Sequence, residues 1–210
     1  MSIAEVAILS SSWVLYFVVH SWLANESFKQ SVIRRFDLNV QKYRLIYVIA
    51  ATLLLLPPLW FTFRYGSALL WKWDGVLLWV MNSLAAIAIA GFILSMKFYD
   101  GMAFLGLKPF ATENAEQAFT LSPLHRFVRH PWYFFALLLI WTRDMTVAWF
   151  ISCLLITLYF IIGSRLEEQK MIYYFGDVYQ RYQKKVPALF PLPWRFLKKE
   201  EADLLGGDLN

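Results

Sequence analysis

Long apolar runs, broken by short polar stretches, set the plan of this chain. Three early runs, Ile3 to Ala24, Leu45 to Phe63 and Gly75 to Met96, carry almost no charge. A helix rises about 1.5 Å per residue, so roughly 20 apolar residues cross the ~30 Å hydrocarbon layer of a bilayer. Each run therefore predicts one spanning helix. The first has no basic start and no small-residue cleavage site, and Asn25, Glu26 and a basic loop follow it, so it reads as a retained span rather than a leader. A fourth run, Trp132 to Trp141, reaches only about half the required length before Thr142, Arg143 and Asp144 interrupt it, and Met145 to Gly163 then supplies a full span. This pattern predicts a tight helical hairpin. Its first arm starts at Ser122 and Pro123, a capping serine followed by a proline at the first helical position, and Pro131 kinks it. Gly176 is expected to end the last long helix, and Asp177 to cap a short amphipathic helix carrying Val178, Tyr179, Tyr182 and Val186. Pro187 ends that helix, and the proline-rich run from Val186 to Trp194 lies on or under the bilayer surface.

Composition agrees. Hydrophobic residues make up 59% of the 210 residues and charged ones 17%, against roughly 45–50% and about 25% in soluble domains, which excludes a single soluble domain. The fold class expected is an all-α integral membrane bundle of about five transmembrane helices with a cytoplasmic amphipathic tail. No linker or repeat divides the chain, so 1–210 is expected to form one domain.

The net charge of +5 is spread between the apolar runs rather than gathered into one stripe, which excludes nucleic acid as a partner. Counted by loop, seventeen Lys and Arg fall in 25–44, in 97–130 and in the tail from Arg165, against Arg64, Lys72 and Arg143 on the other side. Under the positive-inside rule this places the N-terminus outside and the C-terminus in the cytoplasm, with five spans. Trp60, Trp71, Trp73 and Trp194 fall at span ends, where an indole suits the headgroup layer. The lone Cys153 lies in an apolar run, so neither an intramolecular disulfide nor a cysteine metal site is expected, and no metal is called for.

The residues that lipid does not explain gather in two regions, Gln117 to Tyr133 and Ser164 to Pro191. The first ends in Arg129-His130-Pro131-Trp132-Tyr133, where two basic side chains, a proline and aromatic rings share one turn at the mouth of a short span. Such a turn can grip a polar ligand at the membrane surface, or its cations can simply snorkel to headgroup phosphates. The second opens with Ser164-Arg165-Leu166-Glu167-Glu168, adjacent carboxylates at a membrane boundary that are either paired or part of a solvated helix end. His20 and the Arg143-Asp144 pair are weaker candidates, near a span end and at the outer turn of the hairpin.

Read in order, Arg129-His130-Pro131-Trp132-Tyr133, Glu167-Glu168, Phe175-Gly176-Asp177-Val178-Tyr179-Gln180-Arg181-Tyr182 and Val186-Pro187-Ala188-Leu189-Phe190-Pro191 resemble the isoprenylcysteine carboxyl methyltransferase family of membrane enzymes. Upstream, His20-Ser21-Trp22-Leu23-Ala24, Tyr43 to Tyr47, Phe104 to Leu107 and Trp141 to Thr146 look like its bacterial, thiol-methylating branch. The resemblance implies S-adenosylmethionine bound on the cytoplasmic side by residues 98–195, with contacts from Gln117, Ala118, Phe119, Thr120, His125, His130, Pro131, Trp132, Tyr133 and Glu167. Chemically this is coherent: a carboxylate suits the ligand's ammonium and an aromatic slot its adenine.

Two departures shape the expected acceptor. His125 stands where the family usually has tyrosine, and Gly163 stands where the prenyl-substrate enzymes have an arginine for the substrate carboxylate. A small lipophilic thiol is therefore favoured over a prenylcysteine, with Arg129 and Arg165 as the cations that would stabilise its thiolate. Carboxyl O-methylation of a prenylcysteine-like or lipid acceptor, a membrane reductase and a non-enzymatic subunit remain as alternatives.

Overall fold

The computed structural model describes residues 1–65, 67–98, 101–109 and 121–209. It is helical nearly throughout: α1 (Ile3–Leu23), α2 (Glu26–Phe36), α3 (Val40–Arg64), α4 (Gly75–Ser95), the short α5 (Gly101–Phe104), α6 (Pro131–Trp141), α7 (Val147–Lys185) and α8 (Lys199–Leu209). Side-chain caps start the early helices. Ser2 and Glu5 form a reciprocal capping box on α1, Asn25 caps α2 and Asn39 caps α3, each satisfying amides that the first turn leaves unpaired. Asp37 closes α2 in the left-handed conformation, turning the chain into α3.

α1, α3, α4 and α7 are long and apolar enough to cross a membrane. Along α3, Ile49, Leu53, Leu56, Trp60 and Phe63 are all more than half exposed. An apolar stripe of that length is tolerable only against lipid. The chain is a multi-pass membrane protein. The fifth apolar segment, α6, has 11 residues, about 16 Å of helix, too short to cross alone. Its start also differs from expectation. Pro131 does not kink a longer arm; it occupies the first helical position of α6. The physical reason lies in the residues before it: the amides of Arg129 and His130 donate to the carbonyls of Pro187 and Ala188 at 2.9 and 3.0 Å, committing that backbone to the tail instead of to a helix.

The described residues divide into two compact units. In the first, α1, α2, α3, α5 and the start of α7 pack around Leu9, Trp13 and Ala148. Its helices are tied by a buried polar chain in which Trp13 Nε1 donates to Ser152 Oγ at 2.9 Å and Ser152 Oγ lies 2.8 Å from Thr62 Oγ1. A two-stranded ribbon, β1 (Leu69–Trp71) against β2 (Met145–Thr146), closes one end. There Asp144 accepts from the Trp73 amide, while His20 pairs with the Tyr47 hydroxyl at 2.8 Å between α1 and α3.

In the second unit α4 and α6 lie side by side. Gly91 lets them approach: a Cβ there would fall 2.2 Å from the Phe135 ring. Trp132 Nε1 donates to Ser95 Oγ at 2.8 Å at one end, and Arg143 donates to the Met81 carbonyl at the other, so the two helices run antiparallel. α7 continues through this unit to Lys185 but is broken at Gly176, whose φ of 52° and ψ of −130° are not helical. Glycine enters that region freely, so the break stands where the sequence placed it. Beyond it, Tyr179, Tyr182 and Val186 join Leu197, Ala202 and Leu205 in the core of the tail.

Candidate active site

The second unit brings the two polar regions of the sequence together. Pro131 fixes the start of α6, so His130 stands at its N-cap and Tyr133 one turn inside, while Phe160, Glu167 and Glu168 face them from α7. Tyr133 stacks on Phe160 with ring centroids 4.5 Å apart, and His130 stacks on Tyr133 at 5.3 Å. The Tyr133 hydroxyl donates to Glu167 Oε1 at 2.5 Å. The His130 ring bridges two carboxylates: Nδ1 lies 3.2 Å from Glu167 Oε2 and Nε2 lies 3.0 Å from Glu168 Oε1.

A neutral imidazole has one N–H and could satisfy only one of those oxygens, so the geometry calls for the imidazolium. Burial works against that charge, but the bonds to Glu167 and Glu168 outweigh it and raise the His130 pKa. Glu168 shows the mirror effect. Burial opposes its ionisation, yet His130 and Arg129 hold it down to about 2.

The two glutamates differ in availability. Glu168 is buried and accepts from Arg129 Nε at 2.7 Å, from His130 and from Gln183 Nε2 at 2.9 Å. Glu167 has a side chain 52% exposed and accepts only on its inner side. A carboxylate offers about four lone-pair directions, so Glu167 keeps about two on an exposed group for an incoming cation, whereas Glu168 keeps about one and is buried.

Arg129 is tied into the same core. Besides Glu168 it donates to the carbonyls of Gln183 and Val186, where the tail helix ends. It is a strut between the α6 mouth and the tail, which departs from the free thiolate-stabilising cation expected from the sequence. His125 is likewise structural in its contacts. Its Nδ1 accepts from the Ser122 amide at 3.2 Å, and its carbonyl accepts from the Tyr182 hydroxyl at 2.7 Å. Burial, with the nearby charge of His130, lowers its pKa to about 4, so it is neutral.

Relatives of the chain give this arrangement a context. It is 32% identical over 191 residues, 84% of its own length and 69% of the relative's, to a methanethiol S-methyltransferase of Pseudomonas deceptionensis. The chain belongs to the methanethiol S-methyltransferase family. Methanethiol S-methyltransferase 1 of Bradyrhizobium diazoefficiens is 29% identical over 92% of the chain and 69% of its own length, and a methanethiol S-methyltransferase of Crocosphaera subtropica is 26% identical over 84% and 71%. No family model matches the chain, and no solved structure matches it. Membership of this family makes the chain a methyltransferase, an enzyme that requires a methyl donor, as the ordered motifs led us to expect.

Within this methyltransferase, the expected site residues separate into groups. Arg129, His130, Tyr133 and Glu167 are brought together, with Pro131 buried at the helix start. Trp132 turns to Ser95 on α4 instead. Arg165 is exposed and makes no hydrogen bond or ion pair with the described residues. Gln117, Ala118, Phe119 and Thr120 lie outside the described residues. Among the described residues no group of three His, Cys, Asp or Glu is arranged to hold a metal ion. Sequence reasoning missed Glu168 as the hub, along with Phe160 and Gln183. Glu168 carried a signal, since it stands beside Glu167 at the end of an apolar span, where adjacent carboxylates demand partners.

Proposed function

We propose that the chain is a multi-pass membrane enzyme that transfers a methyl group from S-adenosylmethionine to the sulfur of a small lipophilic thiol. The observation that carries this reading is the half-exposed Glu167 carboxylate, held by Tyr133 and His130 at the mouth of α6, in a chain belonging to a thiol methyltransferase family. The residues fit the donor's ammonium: Glu167 is half exposed and has unused acceptor capacity beside the stacked Tyr133 and His130 rings. His125, which the resemblance also assigns to the donor, is bonded to Ser122 and Tyr182.

When bound, S-adenosylmethionine supplies an electrophilic methyl on a sulfonium, whose bond to the donor sulfur breaks as a bond to the acceptor sulfur forms. The chain's own residues orient and exclude water. Tyr133 and His130 fix Glu167, Glu168 and Arg129 fix His130, and the apolar faces of α4, α6 and α7 admit a greasy acceptor. Gly163 faces Tyr133, with a Cβ position 3.6 Å from its hydroxyl, so an absent side chain leaves room for the acceptor beside the cluster. Arg165, two residues on and without a hydrogen bond or ion pair among the described residues, is the cation offered to a thiolate.

The seventeen-to-three distribution of basic residues supports an inner-membrane orientation with a cytoplasmic tail and an external N-terminus. Calorimetry with S-adenosylhomocysteine tests the cofactor. A labelled-donor assay offering methanethiol, a longer alkyl thiol and a farnesylcysteine analogue tests the acceptor. Methylation of both thiols is expected, rising with pH toward the apparent pKa of the bound thiol and then levelling off. Methylation of the farnesylcysteine carboxylate alone would overturn the reading in favour of O-methylation.

A further inference from the structure

The tail of this enzyme carries a second charged feature that the chemistry above does not use. After Lys185 the chain doubles back to the α6 mouth. The carbonyls of Pro187 and Ala188 accept from the Arg129 and His130 amides, the Leu197 amide donates to the Arg126 carbonyl while Arg126 Nε donates to the Leu197 carbonyl, and Phe190 stands edge-on to Phe134 in the first turn of α6. The tail is thus held at the level where an apolar helix begins, which is a membrane boundary.

At this level a cavity of about 400 Å³ opens between the end of α7 and the segment leading to α8. Four cations line it, Lys184, Lys185, Arg195 and Lys198, against one acid, Glu201. Lys185 pairs with Glu201. Among the described residues Arg195 donates only to the carbonyls of Gln183 and Lys184, which holds its guanidinium in place without neutralising it. The Lys184 side chain makes no hydrogen bond or ion pair among the described residues, while Lys198 donates its amide to Glu201 and its charge acts on the same carboxylate. Four cations thus share one carboxylate, a net excess of three positive charges around one concavity. Its rim is aromatic: Trp194 is 76% exposed, and Phe196 stacks on the exposed Phe127. Fixed cations in a cavity with an exposed indole beside it match a lipid's phosphate and the upper part of its acyl chains.

We propose that this cavity binds the phosphate of an anionic phospholipid headgroup, clamping the tail to the membrane surface. Arg195 is the preorganised contact, Lys184 and Lys198 close on the phosphate, and Trp194 lies among the first methylenes of the chains. The proposal is independent of the methyl acceptor.

The test is native mass spectrometry of the full chain released from detergent after equilibration with equal amounts of dioleoylphosphatidylglycerol and dioleoylphosphatidylcholine. The wild type should retain the anionic lipid preferentially, with the preference falling at high salt. The double variant Lys184→Gln, Lys198→Gln should lose about tenfold or more of that preference, because each cation near an anionic surface strengthens binding several-fold. Trp194→Ala should reduce retention of both lipids. Equal melting of all variants in phosphatidylcholine micelles checks the fold. Undiminished preference in the double variant overturns the proposal, as does displacement of the lipid by inorganic phosphate, which would make the site one for free anions.

Discussion

Arg129 Nε and His130 Nε2 converge on the same oxygen, Oε1 of Glu168, at 2.7 and 3.0 Å. Neighbours in sequence, they meet a carboxylate 38 and 39 residues away. This contact locks the mouth of α6 to α7, and through the Arg129 bonds to Gln183 and Val186 it extends to the tail. The exposed Glu167 inherits its geometry from that lock, since the imidazole bonded to it is oriented by Glu168.

Glu168→Gln should therefore be more damaging to the fold than Glu167→Gln. It leaves a buried guanidinium and imidazolium facing a neutral amide, a change that costs on the order of 3 kcal/mol when one partner of a buried ion pair is removed. Thermal unfolding in detergent measures it. Equal melting temperatures for the two variants would show that the buried hub is dispensable.

The two histidines of this region act on opposite sides of neutrality. His125 is favoured neutral, with its pKa lowered to about 4, so its contribution is complete above the ordinary 6.5 and is lost as pH falls toward 4. His130 is favoured charged, so its contribution is complete below 6.5 and is lost as pH rises through its raised value. Glu168, held at about 2, adds a further loss between 4.5 and 2. Stability should peak near neutral pH. In melting curves taken across pH, His130→Gln should flatten the alkaline limb and His125→Gln the upper acid limb. An unchanged alkaline limb in His130→Gln would remove the imidazolium assignment.

Much of this was legible in the chain. Apolar runs longer than about 18 residues announce spans because backbone groups in lipid must bond within their own segment, and Gly176 marked the helix break because its φ is positive. Two things were not legible. The role of Pro131 depended on whether the preceding amides found partners, and those partners sit in the tail, more than 50 residues on. Likewise Arg129 read as an available cation because sequence shows the charge of a residue but not the carbonyls that surround it.

Gly106 offers a test in the first unit. Its φ is +74°, and a Cβ would lie 2.5 Å from the Leu45 amide nitrogen and 2.9 Å from the Gln41 carbonyl, both backbone atoms of α3 that cannot step aside. Gly106→Ala should cost about 2 kcal/mol or more, from left-handed strain and the clash together. Gly75→Ala is the control: φ is also positive there, at +49°, but nothing lies within 4 Å, so only the strain remains. Chemical or thermal denaturation of the pair separates the two contributions, and equal losses would place the α3 contact in error.

Glu167 is the residue on which the cofactor assignment turns. Its carboxylate lies at the exposed edge of the cluster, with one oxygen bonded to Tyr133 and the other to His130, two contacts that fix its orientation. An ammonium arriving from water would add a charge-assisted hydrogen bond to a group already oriented, with little ordering left to do. Glu167→Gln keeps the shape and removes the charge, so S-adenosylhomocysteine should bind more weakly by about 1.5–3 kcal/mol, roughly ten- to a hundredfold. Because the side chain is half exposed, the fold should survive, and unchanged melting behaviour would confirm that the loss is local. Tyr133→Phe should weaken binding less, since it removes one orienting donor and leaves the charge and the ring in place. Calorimetric titration of wild type and both variants decides the matter. Equal affinity in wild type and Glu167→Gln, with the fold intact, would mean that the ammonium lies elsewhere and that Glu167 serves only to hold His130.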